Sequence, residues 1–179
     1  MIDHQYLSAR LSYCEDTGFF TWLSRPLCDF VSEERMKAWN TRYAGTKAGK
    51  VNSNGYVLIQ INGKHYRAHR LAWLATTGDW PAQHIDHING DKLDNRIKNL
   101  RDVSSLENNR NMPLLASNKS GRVGVSWYSA RSEWVAHIKV DGRQKILGRF
   151  KSISLAIDAR ESAERDLGFH PNHGRLPQA

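Results

Sequence analysis

The sequence predicts an α+β protein, and three stretches carry that expectation. Asn62-Gly63 lies between two β-rich runs, "GYVLIQI" and "KHYRAH". "HIDHI" at 84–88 and "NLRDV" at 99–103 flank a polar loop, and a helix start follows. Beyond residue 121, three strand-like runs precede one long amphipathic segment. Together they give an N-terminal region with a β-hairpin, a strand-loop-strand-helix unit, and a three-stranded antiparallel sheet packed on one helix.

Tyr6, Leu7 and Leu11 fall at helical spacing, "DTG" at 16–18 is a turn, and "FFTW" at 19–22 is a strand. Residues 24–54, rich in Lys, Arg, Gly and Asn, are expected to form a loop in reach of a polyanion. The Asn-Gly pair accepts the positive φ angles of a tight primed turn, which sets the hairpin at 55–69. A helix over 70–77 follows, its apolar side built from Leu71, Trp73 and Leu74, with Gly78 beyond its end.

Ser104 caps the next helix, and Glu107 three residues later completes a capping box. Pro113 and the polar "ASNKSG" at 116–121 mark a linker. Two domains are therefore expected, residues 1–115 with a core at 84–111, and 116–179 with a core at 120–168. In the second, strands near 122–128, 133–140 and 143–150 precede a helix near 152–168. Ile153, Ala156, Ile157, Ala163 and Leu167 suit packing on the sheet.

Hydrophobic residues make up 40% of the 179, enough for a core. No apolar run is long enough to cross a membrane, and the N-terminus lacks the pattern of a signal peptide. Cys14 and Cys28 form no C-x-x-C pair, which excludes a four-cysteine zinc site and fits a reducing, intracellular compartment. The net charge of +8 points to an anionic partner, most often nucleic acid.

The candidate chemistry centres on "HIDHING" at 84–90. Adjacent side chains of a strand point to opposite faces, so Asp86 and His87 can do different work. A hard cation such as Mg²⁺ or Mn²⁺ takes one or two protein oxygens together with substrate phosphate oxygens. Asp86 offers a carboxylate, and Asn108 an amide oxygen from the helix. His87 has the pKa range of a general base near neutral pH. Asn99 can hold the backbone or imidazole of His87. His84 reads as a structural or phosphate-contacting residue, and His65 and His69 as packed or solvated ones.

This constellation resembles the HNH endonucleases, of the ββα-metal type common in phages and among homing endonucleases. The resemblance rests on Asp86-His87, on Asn99 and Asn108 at their spacing, and on "HIDHINGDKLDNRIKNLRDVSSLENNRN" around them. It implies hydrolysis of DNA phosphodiesters with one divalent ion, Mg²⁺ or Mn²⁺. His87 would be the base, Asn99 the orienting residue, and Asp86 and Asn108 the metal ligands. Many relatives carry metal-binding histidines on the helix. Asn108 and Met112 stand there in this chain, which favours an oxygen-loving ion over Zn²⁺ or Ni²⁺.

Residues 119–151 carry many cations against only Glu133 and Asp141, whereas 152–168 is rich in carboxylates. The stretches "GVSWY", "WVAHIKV", "LGRF" and "AIDARESAERDLG" resemble the DNA-binding domain of plant ethylene-response (APETALA-type) factors. Arg122, Arg131, Lys139, Arg143, Lys145 and Arg149 are the candidate DNA contacts. Strict alternation would put Arg143, Lys145, Leu147 and Arg149 on one face. The family pattern instead packs Leu147 and Phe150 inside and turns Arg149 out, which implies a bulge at Gly148.

The sequence thus reads as a metal-dependent endonuclease acting on double-stranded DNA, phage-encoded and working in the host cytoplasm. A non-catalytic DNA-binding regulator with a decayed nuclease core is the alternative, and an RNA-binding protein a more distant one. Target sequence, nicking against double-strand cleavage and oligomeric state are not encoded in any motif, though a monomer on DNA is compatible with the sequence.

Overall fold

The computed structural model describes residues 2–115 and 117–176. The chain divides into two compact units, residues 1–105 and 106–179. The architecture is α+β, with small antiparallel sheets throughout.

In the first unit, helix α1 (His4–Ser8) is capped by Asp3, whose carboxylate accepts from the Tyr6 amide. Strands β1 (Leu11–Cys14) and β2 (Phe19–Trp22) pair antiparallel. The expected strand at 19–22 is there; its partner β1 begins at Leu11, which the helical spacing had assigned to the preceding helix. Helix α2 (Glu33–Tyr43) lies where a loop was expected. Ser32 caps it by accepting from the Arg35 amide at 3.3 Å, and Glu33 and Glu34 favour the positive end of its dipole. Trp39, one turn before Tyr43, packs edge-on to Trp22 at 5.5 Å and against Phe30 at 6.0 Å. Aromatic contact holds this helix, which contributes no fully buried residue.

Strands β3 (Lys50–Val51), β4 (Val57–Ile61) and β5 (Lys64–Arg67) form the next sheet, with β4 in the centre. The β4–β5 turn is Asn62-Gly63, both at positive φ, as expected from sequence. Helix α3 (Ala68–Thr77) ends in a left-handed cap at Gly78. It buries Ala68, Leu71, Ala72 and Leu74 against Leu7, Leu11, Phe20, Ile59 and Ile61, which make the core of the unit. Strands β6 (His84–His87) and β7 (Leu100–Val103) pair antiparallel with Asp86 opposite Arg101 and His87 opposite Leu100. Leu100 and Ile85 anchor this hairpin to the core.

Helix α4 (Ser105–Asn109) follows β7 and runs across the division between the units. The division falls earlier than the linker expected at 116–121. Residues 111–114 belong with the C-terminal unit because they are tied to its end: the Leu114 amide donates to the Arg175 carbonyl and the Gly174 amide to that of Met112, both at 2.8 Å.

In that unit β8 (Val125–Tyr128), β9 (Glu133–Val140) and β10 (Arg143–Phe150) form an antiparallel sheet with β9 central. Helix α5 (Ile153–Asp166) packs on it. The register slips between Ile146 and Gly148, as the bulge reading requires. Leu147 and Phe150 consequently join Val125, Ala136 and Ala156 in the core. The core-facing side of α5 is not wholly apolar. Arg160 and Glu164 are buried and ion-paired at 2.7 Å, and Arg160 also donates to the His137 carbonyl at 2.5 Å. Gly124, at φ +78°, admits this arrangement: a Cβ there would lie 2.4 Å from the His137 carbonyl oxygen and 2.7 Å from the Arg160 guanidinium.

Candidate active site

Asp86 and His87 stand on β6 and are nearly buried. The cross-strand partner of Asp86 holds it: Arg101 donates to Oδ2 from Nη2 at 2.7 Å and from Nε at 3.0 Å. A carboxylate at this depth needs such a counter-charge, since burial of an unpaired charge costs several kcal/mol.

The imidazole of His87 meets the side chain of Asn95, with Nε2 3.2 Å from Oδ1. The Asn95 amide is oriented by its other end, because Nδ2 donates to the Leu93 carbonyl at 3.2 Å. Oδ1 can only accept, so Nε2 carries the proton and the imidazole lone pair sits on Nδ1. Asn95 is only 2% exposed, and its carbonyl accepts from the Tyr13 hydroxyl at 2.8 Å. The β1–β2 turn presses on the same loop: a Cβ at Gly18 would lie 2.5 Å from the Arg96 amide. The N-terminal hairpin therefore braces the residue that sets the tautomer of His87.

Asn99 was expected to hold the backbone or imidazole of His87. The structure places it on the loop after His87. Its Oδ1 accepts from the Asn89 amide at 3.0 Å, and its Nδ2 donates to Asn89 Oδ1 at 3.0 Å and the Asp94 carbonyl at 2.8 Å. Its own carbonyl accepts from the Ile88 amide at 2.9 Å. Asn89 and Asp91 cap amides two residues on, and Asp94 pairs with Arg96. The abundance of Asn and Asp here is a loop stapled by its own side chains.

Behind His87 lies a group the sequence did not bring together. The His69 ring, on α3, meets that of His87 edge-on at 5.0 Å, and Tyr56 contacts both at 5.3 and 6.3 Å. Arg67 and Lys92 each lie 4.8 Å from the Tyr56 ring. His69 is packed, in line with expectation, whereas His65 is exposed. His84 is exposed, with Nε2 3.1 Å from the Ser105 hydroxyl.

Burial lowers the pKa of His87, against the Asn95 hydrogen bond and the charges of Asp86, Asp91 and Asp94, which raise it. Burial also pushes His69 down to about 3, helped by the positive charges His87, Arg67 and Arg70 can present. A histidine whose folded pKa lies below its unfolded value of about 6.5 stabilises the fold above pH 6.5 and loses that contribution as pH falls towards the folded pKa, because the unfolded chain takes up the proton first. Between pH 6.5 and 4 the unfolding free energy should fall by roughly 1.4 kcal/mol per pH unit from His69 alone. Denaturant titrations of the protein and of His69→Gln across that range check this. Equal slopes in the two would show that His69 is not held neutral by burial.

Asn108 lies on α4, half-buried, and belongs to the second unit, whereas Asp86, His87 and Asn99 belong to the first. Among the described residues no group of three or more His, Cys, Asp or Glu side chains is placed to hold a metal. One carboxylate and one amide oxygen do not make a zinc site.

Of the candidate DNA contacts, Arg131, Lys139, Arg143, Lys145 and Arg149 are exposed. They do not share one face. Residues directly opposite in an antiparallel pair point to the same side. Arg149 opposes Val135 and Lys139 opposes Gln144, on the side away from the core, whereas Lys145 opposes the buried Ile138 and Arg143 opposes Val140. The slip before Gly148 separates the two sets. Arg122 departs from the expected basic surface altogether: it turns inward to Glu164 and lies 3.3 Å from Glu161, so α5 neutralises it.

Residues 66–110 match the HNH endonuclease family. A stretch of 79 residues is 38% identical to Protein 3.8 of Escherichia phage T7, covering 44% of this chain and 65% of that protein. The chain thus spans less than two thirds of the length of that curated relative. A solved structure of the HNH homing endonuclease I-HmuI aligns over 99% of this chain and 98% of its own, at 18% identity and a TM-score of 0.42. The matched family segment runs from β5 to α4 and contains Asp86, His87, Asn99 and Asn108.

Proposed function

We propose that the protein is a metal-dependent DNA endonuclease of HNH type, phage-encoded, of the homing kind, and active in the host cytoplasm. The observation that carries this reading is His87: a buried imidazole whose Nε2 lies 3.2 Å from the Asn95 Oδ1, beside a carboxylate on the same strand.

In this reading His87 accepts a proton from water at Nδ1, the water oxygen attacks the scissile phosphorus, and the bond from phosphorus to the leaving sugar oxygen breaks, that oxygen taking a proton from solvent. Asn95 holds the imidazole in the tautomer that leaves Nδ1 basic. Asn99 keeps the 89–94 loop folded so that the ring stays in place. Asp86 and Asn108 would hold a Mg²⁺ or Mn²⁺ ion, which supplies charge stabilisation at the phosphate when bound. The test is nicking of supercoiled plasmid with Mg²⁺ or Mn²⁺, with and without chelator. Absence of cleavage under all metal conditions, with duplex binding intact, would leave a DNA-binding protein without activity.

The C-terminal unit is proposed to bind double-stranded DNA, like the plant factors its sequence resembles, with the chemistry carried by the N-terminal unit. Each phosphate contact contributes about −0.9 to the slope of log K against log salt. Replacing Lys139 and Arg149, which share the side away from the core, by Ala should therefore flatten that slope by up to about 1.8 and weaken binding. Arg122→Ala should lower thermal stability, because the buried Glu164 keeps Arg160 at Oε1 but loses its donor at Oε2, while changing the slope little. Anisotropy titrations at several salt concentrations decide it. A double variant with unaltered slope would make these exposed cations a solvated surface only.

A further inference from the structure

A concave groove of about 890 Å³ lies in the N-terminal unit between α2 and the β3–β4–β5 sheet. Its lining includes Trp39 and Arg42 of α2, Lys47 and Lys50 of the following segment, and Gln60 and His65 of the hairpin, with no carboxylate. Arg42, Lys47 and Lys50 are exposed and form no ion pair among the described residues. Asp29 is matched by Arg10 and Arg25, and Glu33 of α2 by Lys37. A groove holding three unneutralised cations in a chain of net charge +8 is complementary to a polyanion.

We propose that this groove binds the phosphate backbone of duplex DNA, as an affinity surface separate from both the His87 site and the C-terminal sheet. The inference rests on the DNA reading above and adds a second place where the nucleic acid is held. The groove is built for phosphates rather than for stacked bases. Trp22 and Trp39 are half-buried and packed edge-on to each other, with interplanar angle 84°, so their faces do not form a stacking platform. Gln60 adds an amide donor to the cations. Lys47, Gly49, Lys50 and Val51 also border a second concavity, whose lining includes the carboxylates Asp16, Asp91 and Asp94 together with Arg96. The groove and the loop that Asn99 braces thus share a border at Lys47 and Lys50. The acids on that loop keep the phosphates on the lysine side, and Arg96 offsets Asp94.

The test uses the full chain and a fluorescent DNA duplex, with divalent metal chelated, over a series of salt concentrations. Arg42→Ala/Lys50→Ala should weaken binding roughly tenfold at about 0.1 M salt and flatten the slope of log K against log salt by about 1.8, the value for two phosphate contacts. Arg35→Ala/Lys64→Ala removes the same charge from exposed positions outside the groove and should change the slope far less. If the groove variant melts at a lower temperature, Arg42→Gln/Lys50→Gln, which keeps more of each side chain, gives the decisive slope. A groove variant with the wild-type slope, or with no greater loss than the control, overturns the proposal. Single-stranded RNA competing better than duplex DNA also overturns it. A wild-type chain that fails to bind duplex at all brings down the nuclease reading itself, which distinguishes the two failures.

Discussion

His87→Ala should reduce DNA cleavage by about 10²–10⁴-fold while leaving duplex binding close to the wild-type value, since loss of a general base removes a proton-transfer contribution of that size. The imidazole is nearly buried and makes its contacts with Asn95, Tyr56 and His69, so its removal takes little from a DNA-binding surface. Single-turnover cleavage and anisotropy on the same preparation check both halves, and near-normal turnover would remove His87 from the mechanism. The pH dependence gives a second readout. Burial lowers the His87 pKa, so the neutral form persists below the ordinary value of about 6.5. The rate should hold as pH falls through 6.5 and decline only on the acid side of it. Asn95→Ala should lower the rate with His87 still present, because the proton on Nε2 loses its acceptor.

Asp86→Ala should abolish measurable cleavage at ordinary Mg²⁺ and weaken metal affinity, since it removes the only carboxylate in the proposed donor set. Asn108→Ala should do less, because a neutral amide oxygen holds a hard cation more weakly than a carboxylate does. Mn²⁺ binding followed by electron paramagnetic resonance separates metal loss from any indirect effect on rate. Arg101 loses its partner in the Asp86 variant, so thermal melting must accompany the measurement. Full activity in Asp86→Ala would shift attention to Asp91 or Glu107, since Asp94 is already paired with Arg96.

Much of the fold was legible because its signals are local. Asn62-Gly63 announced the β4–β5 hairpin through its two positive φ angles. "HIDHI" and "NLRDV" showed β6 and β7, and the placement of Leu147 and Phe150 forced the irregularity that the structure has between Ile146 and Gly148. Helix α2 was missed although Ser32 followed by Glu33 and Glu34 is a start signal, because its polar composition masked it and its hold comes from Trp22 and Phe30 elsewhere in the chain. The Arg160–Glu164 pair was missed for the opposite reason. Spacing of four on a helix reads as a surface ion pair, and only the close approach at Gly124 encloses it.

The sequence by itself determined the alternation of the strands, the turns and the adjacency of Asp86 and His87, because periodicity and dihedral preference act within a few residues. Arg101 opposite Asp86 was within reach of the hairpin register once the loop length was known. Tertiary structure alone decided that Asn95 meets the imidazole, that Tyr13 and Gly18 fix Asn95 from 77 or more residues away, and that His69 closes the pocket behind it. It also paired Arg122, expected as a free surface cation, with Glu164 and Glu161. Hydrogen bonds and charge pairs of this kind depend on distances set by packing of the whole core, and no local rule of spacing carries that information.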